Sequence, residues 1–198
     1  MLYIEYGVDN KMKIAITGGI GTGKSYVCRL LAERGIEVYD SDAAAKRLMR
    51  TSVELQQELS RLIGKEVCTE DGQLQKSVIA EYLLASEANK LALNDVVHPA
   101  VARDYLASGK EWLESAILLE SGFHKRVSFD KVVCVVAPRD VRIQRIMSRD
   151  HITEEKAAEW IDVQMPQEEI ERRSDFVIIN DGKSDLSQQI DQVLAQCK

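Results

Sequence analysis

The chain has 198 residues, 45% of them hydrophobic and 29% charged, with a formal net charge of −6 at neutral pH. This balance supplies apolar side chains for one substantial core and excludes a disordered chain, and no apolar run approaches the ~20 residues a membrane-spanning helix needs. An acidic chain is also a poor indiscriminate binder of nucleic acid, so any site for phosphates must be local; no nucleic-acid, membrane or protein partner is implied.

The opening MLYIEYGVDNK lacks the basic start and sustained apolar stretch of a secretory signal, and Met12 is a candidate start with residues 1–11 an extension of no evident role. Cys28, Cys68, Cys134 and Cys197 lie far apart with no C-x-x-C pair. That spacing reads as reduced thiols of a cytoplasmic protein, not as a disulfide framework or a zinc site.

Met12 to Thr17 is a short apolar run ending in glycines, the pattern of a buried strand, and Lys24 to Arg34 has helical periodicity through Val27, Leu30 and Leu31. Between them, Gly18-Gly19-Ile20-Gly21-Thr22-Gly23-Lys24-Ser25 satisfies G-x-x-x-x-G-K-[ST]. Glycines let the backbone wrap an anion closely, and the helix that follows offers unpaired N–H groups and the positive end of its dipole. Lys24 is expected to reach the β- and γ-phosphates of a nucleotide and Ser25 to ligate Mg²⁺. A GTPase would carry N-K-x-D, whereas the only Asn-Lys here, Asn89-Lys90, continues Leu91-Ala92.

A second strand over Ile36 to Tyr39 leads into Asp40-Ser41-Asp42. Residues two apart in extended backbone point the same way, so both carboxylates can face the crevice at the carboxyl edge of the sheet. Phosphoryl transfer to an alcohol needs such a group to orient the hydroxyl and take its proton. Capping a helix that begins at Ala43 explains an aspartate here equally well.

The stretch up to the third strand, predicted over Ser115 to Leu119, far exceeds the dozen or so residues a parallel crossover requires. It reads as helices over about 43–50, 53–63, 76–85, 87–95 and 99–109, with a turn at Glu70-Asp71-Gly72, forming a helical subdomain. Glu120 closes the third strand, where it can hold a hydroxyl or water near the metal or simply open a solvated loop. Val132 to Val136 and Phe176 to Ile179 complete five strands, which alternate with helices and imply a mostly parallel α/β sheet covered on both faces. Between the last two, Arg142, Arg145 and Arg149 fall at i, i+3 and i+7, on one face of a helix. Beside a phosphate loop, such a row suits a lid that stabilises charge on a transferred phosphoryl group; ordinary solvated helix charge is the alternative.

Together these marks resemble the dephospho-CoA kinase family from about Lys13 to the last helix. The resemblance rests on Thr17 to Ser25, Asp40-Ser41-Asp42, Asp71-Gly72 with Leu74, His98-Pro99, Leu118-Leu119-Glu120, Arg145 with Arg149-Asp150, Gln164, and Asp175 leading to Asn180-Asp181-Gly182. It implies transfer of the ATP γ-phosphoryl group, with Mg²⁺, to the ribose 3′-hydroxyl of dephospho-CoA. It also implies a five-stranded P-loop kinase core (12–42, 112–137 and 175–198), a helical CoA-binding subdomain (43–111) and a lid (138–174). By the same resemblance Asp42 is the catalytic base, Asp40 supports the acceptor or metal, His98 and Glu120 lie near the acceptor, and Arg145 and Arg149 serve in the lid. The nucleotide contacts it implies are residues 18–25, Tyr26, Asn180 and Gly182. Departures are Ala116 and Leu119 in place of a proline and a phenylalanine, Tyr26 where a hydroxyl residue is common, Lys76 for an arginine, and Trp160 where an arginine often precedes the glutamine. A kinase for another small alcohol or a nucleoside monophosphate, and a nucleotide-binding module without transfer, are the rival readings of the same loop.

Overall fold

The computed structural model describes residues 12–197, so the expectations for residues 1–11 lie outside the described residues. Its strands are β1 (Ile14–Thr17), β2 (Val38–Asp40), β3 (Trp112–Glu114), β4 (Lys131–Val136) and β5 (Phe176–Ile179), in the order β2-β3-β1-β4-β5. All four pairings are parallel. Each connection therefore crosses a face of the sheet, and both faces must be apolar.

Strand alternation shows how that is met. Ile14, Ile16, Val133 and Val135 point to one face, where α1 (Lys24–Ala32) brings Val27 and Leu31 and α9 (Leu186–Gln196) brings Ile190 and Val193. Ala15, Leu113, Cys134 and Val136 point to the other, against the helices inserted between β2 and β3. These are α2 (Ser41–Thr51), α3 (Val53–Ile63), α4 (Lys76–Ala85) and α5 (Glu87–Ser108). Their buried Leu55, Leu59, Val97, Val101 and Tyr105 join the same cluster as the sheet residues, so the insertion shares the sheet's core.

The second excursion, between β4 and β5, holds α6 (Arg139–Asp150), α7 (Glu154–Asp162) and α8 (Gln167–Arg172). Here α6 and α7 close a separate small cluster of Ile143, Ile146, Ala157 and Ile161. Among the described residues no helix is long and apolar enough to cross a membrane.

Three expectations need correction. The third strand is Trp112–Glu114, and residues 116–122 form a chain of turns; Leu118 and Leu119 are buried as an apolar run should be, but without strand pairing. The helices predicted over 87–95 and 99–109 are one continuous helix with Pro99 inside it. Proline removes one helical hydrogen bond and crowds the preceding turn, yet buried Val97, Val101, Ala102 and Tyr105 anchor α5 on both sides. Finally, α2 begins at Ser41, because Asp40 itself caps it by accepting a hydrogen bond from the Ala43 N–H at 2.8 Å.

Candidate active site

Residues 18–23 form the whole turn between β1 and α1. Gly18 has φ 141°, and a side chain there would run into the Val135 carbonyl of β4; at Gly23, φ 89°, it would strike the Asn180 amide. The loop is braced by side chains from elements far along the chain. Asn180 Nδ2 donates to the Thr22 carbonyl (2.8 Å), and the Ile20 N–H donates to Gln164 Oε1 (2.7 Å). Arg142 Nε donates to the Ile20 carbonyl (2.9 Å), and Arg145 donates to the Gly21 and Thr22 carbonyls, both at 3.3 Å, and to Asn180 Oδ1. Main-chain groups at the open end of α1 have no helical partner, so the loop presents N–H donors and positive potential to one side.

On that side lies a cavity of about 650 Å³, lined by Lys24, Ser25, Asp40, Asp42, Glu114, Arg145 and Arg149 among others. Lys24 is 9% exposed; its ammonium donates to the Gly18 (2.7 Å) and Gly19 (3.3 Å) carbonyls and stands 4.0 Å from a Glu114 carboxylate oxygen. Burial lowers the Lys24 pKa, against the pull of Glu114 and Asp42. Burial also pushes the Glu114 carboxyl up to about 7, with Lys24 pulling the other way. Asp42 touches solvent at the cavity mouth, yet burial and then Asp40 raise its pKa, opposed by Lys46 and Lys24. The cavity lining thus carries three carboxylates, the ammonium groups of Lys24 and Lys46, and the guanidinium groups of Arg145 and Arg149 from α6.

Asp40 and Asp42 do meet at the sheet edge, but not by strand alternation. Asp40 ends β2 and caps α2, whereas Asp42 belongs to the first turn of that helix. The arginine row divides in placement. Arg145 and Arg149 line the cavity, Arg149 also pairing with Asp150 at 2.7 Å, while Arg142 is buried with its guanidinium on the loop backbone and Gln164.

A second hollow of about 720 Å³ shares Gly23 and Arg145 with the first and is lined further by Tyr26, Arg29, Asn180 and Gly182. Arg29 stacks over the Tyr26 ring, its guanidinium 5.3 Å from the centroid. The Asn180 side chain is fully engaged with Thr22 and Arg145, so its direct effect is on the loop.

Glu120 and His98, expected near the acceptor, line neither hollow. Glu120 lies in the turns after β3, its carboxylate oxygens buried without hydrogen-bond partners among the described residues. His98 sits within α5, its ring edge-on to Phe123 with centroids 5.5 Å apart, and burial followed by Arg126 lowers its pKa to about 4. The carboxylate that the third strand does bring to the cavity is Glu114, which sequence reading missed. Only the register Asp40↔Glu114 between β2 and β3 betrays it.

The sequence profile of the dephospho-CoA kinase family matches residues 12–185. A relative of that name from Bacteroides fragilis (strain YCH46) is 42% identical over 191 residues, covering 93% of this chain and 92% of its own length. The chain belongs to the dephospho-CoA kinase family. A further dephospho-CoA kinase, from Chlorobaculum tepidum, is 34% identical over 194 residues, covering 91% of this chain and 92% of that protein. Among solved structures, a Thermus thermophilus protein aligns at TM-score 0.79 and 31% identity over 95% of this chain and 98% of its own. The dephospho-CoA kinase from Campylobacter jejuni aligns at TM-score 0.58 and 21% identity, covering 95% and 98%, which supports the P-loop kinase fold. Membership of this kinase family implies use of a nucleotide. Within the family frame Trp160 gains a packing reason: it is half-buried against the α6–α7 cluster.

Proposed function

We propose that this protein transfers the γ-phosphoryl group of ATP to the ribose 3′-hydroxyl of dephospho-CoA, giving coenzyme A and ADP. The observation that carries this reading is the meeting of the phosphate loop, Lys24 and the Asp42 carboxylate around one cavity in a chain of this family. The core of residues 12–42, 112–137 and 175–198 would hold the nucleotide, residues 43–111 the acceptor, and 138–174 would form the lid. A cytoplasmic location accords with the four free thiols.

The triphosphate lies along the N–H groups at the start of α1, with the base in the hollow beside Tyr26, Asn180 and Gly182. Lys24 exchanges the carbonyls of Gly18 and Gly19 for phosphate oxygens, a trade of one set of acceptors for stronger, charged ones. The 3′-oxygen attacks the γ-phosphorus as the bond to the ADP oxygen breaks, and the proton of the hydroxyl passes to Asp42. Burial makes Asp42 a better proton acceptor than an ordinary aspartate, and Lys24 and Lys46 oppose that shift. Arg145 and Arg149 face the charge that spreads over the moving phosphoryl group.

Ser25 and Asp40 are oxygen donors on the cavity wall and fit Mg²⁺, a hard cation that binds one or two protein oxygens together with phosphate and water. When bound there, the ion would supply positive charge to the phosphates of the nucleotide. Glu120 and His98 have no step in this transfer. ATP consumption measured with dephospho-CoA, adenosine and nucleoside monophosphates in parallel tests the reading. Turnover should depend on dephospho-CoA, and turnover only with another acceptor would overturn it.

A further inference from the structure

Arg142 is a buried charge with no step in the transfer. It is 6% exposed, lines neither hollow of the site and forms no ion pair among the described residues. Of the carboxylates around it, Asp162 is already held by Arg139 through bonds of 2.6 and 2.9 Å. An ionised side chain is costly to bury without an opposite charge, so its placement calls for a reason.

The guanidinium lies instead on one residue of the phosphate loop. Its Nε donates to the Ile20 carbonyl at 2.9 Å and its Nη2 to Gln164 Oε1 at 3.4 Å, while the same Gln164 oxygen accepts the Ile20 N–H at 2.7 Å. Both main-chain groups of Ile20 are thus held by side chains, and its own side chain packs on the α6–α7 cluster. The contact extends to Gly19, where a methyl group would come within 2.4 Å of Nη2. The charge is also felt at Lys24: burial lowers the Lys24 pKa first, and Arg142 adds a smaller push in the same direction.

We propose that Arg142 is a positioning residue of the phosphate loop: it touches no substrate, and by holding Ile20 jointly with Gln164 it keeps the loop in the shape that receives the nucleotide. This rests on the function proposed above. A loop cradles an anion only while its N–H groups converge and its carbonyls point away. Glycine-rich backbone does not enforce that by itself, because glycine has access to many conformations. Pinning the Ile20 carbonyl under a buried cation removes part of this freedom before the ligand arrives, so less ordering is left for binding to drive. The phosphates of a bound nucleotide then supply, across the loop, the opposite charge that the guanidinium lacks.

The test measures ATP affinity by calorimetry and KM for dephospho-CoA by steady-state kinetics in Arg142→Met, Gln164→Ala and the double variant, with Arg142→Lys as the milder change. Arg142→Met should raise the Kd for ATP about tenfold and leave KM for dephospho-CoA within about twofold. Arg142→Lys, which keeps the charge and a donor, should recover part of the loss. Because the two side chains hold one residue, the double variant should lose no more ATP affinity than the worse single variant. Unchanged ATP affinity in Arg142→Met, or losses that simply add in the double variant, would overturn the proposal. So would equal losses toward ATP and dephospho-CoA, the mark of a general loosening of the fold. If Arg142→Met does not fold, Arg142→Lys and Gln164→Ala carry the same comparison: ATP affinity unchanged in both overturns the clamp. A wild type that binds no ATP would overturn the parent reading and the clamp together.

Discussion

The two helical excursions from the sheet are attached to different extents, one by a large shared core and one by a small cluster and a set of hydrogen bonds. Helices α2–α5 bury Leu55, Leu59, Val97, Val101 and Tyr105 in the same cluster as Ala15, Leu113 and Cys134, so the insertion is continuous with the sheet's own core. Helices α6 and α7 instead bury four residues in a small separate cluster, against which Ile20 of the phosphate loop packs, and add hydrogen bonds to the loop from Arg142, Arg145 and Gln164. Apolar burial is lost if its surfaces separate, whereas hydrogen bonds can be remade with water or phosphate. The difference teaches which excursion fixes geometry and which can adjust it. The insertion sets where Asp42 and Lys46 stand relative to the loop; α6 supplies guanidinium groups that sit on the loop carbonyls.

Core truncation in each excursion should give the largest contrast. Leu59→Ala, at a fully buried site, should cost about 2–5 kcal/mol of global stability, seen as a lower denaturant midpoint in a single transition. Ile161→Ala in α7 should reduce hydrogen-exchange protection in α6 and α7 while leaving β4 protected. Equal loss of protection in β4 would break the distinction. Next in size is Arg145→Ala, which removes a cation shared by both hollows. Its kcat should fall about 100-fold, with a smaller change in KM for the acceptor. A variant altered only in acceptor KM would place Arg145 with the insertion's work.

The smallest effect concerns pH. Folding raises the Glu114 carboxyl from 4.5 to about 7, so the folded state holds a proton that the unfolded state has released. The stability this contributes is fully present below pH 4.5 and is lost as pH rises through 7. His98, lowered from 6.5 to about 4, acts in the opposite sense: stability is lost as pH falls from 6.5 toward 4. The difference between wild type and Glu114→Gln isolates the first contribution, which should fade as pH rises from 4.5 through 7. Parallel stability profiles for the two proteins would contradict it.

Much of this was legible in the sequence, for physical reasons that differ by segment. The phosphate loop requires particular residue types, because a side chain at position 18 or 23 meets a neighbouring strand or Asn180. Strands β4 and β5 are apolar, short and bounded by polar turns, which fixes their type. The third strand was misplaced because Ala116 to Leu119 is as apolar as a strand while Trp112–Glu114 is short and ends in charge; burial alone does not separate a turn from a strand. With the strand misplaced, Glu120 was read as the edge carboxylate and Glu114 was passed over. The break predicted at Pro99 failed for another reason: tertiary packing on both sides of the proline outweighs its local penalty. At Asp40 and Asp42 the structure shows what the sequence left open as geometry: Asp40 caps α2, and both side chains line the cavity.

The most direct measurement compares Asp42→Asn with the wild type, using ATP, magnesium and dephospho-CoA, with ATP affinity determined separately by calorimetry. Asparagine keeps the size and cannot take the proton, so turnover should fall by about 100-fold or more while ATP binds within about twofold of wild type. Near-normal turnover in that variant would contradict the assignment of Asp42 as the group that prepares the hydroxyl for transfer.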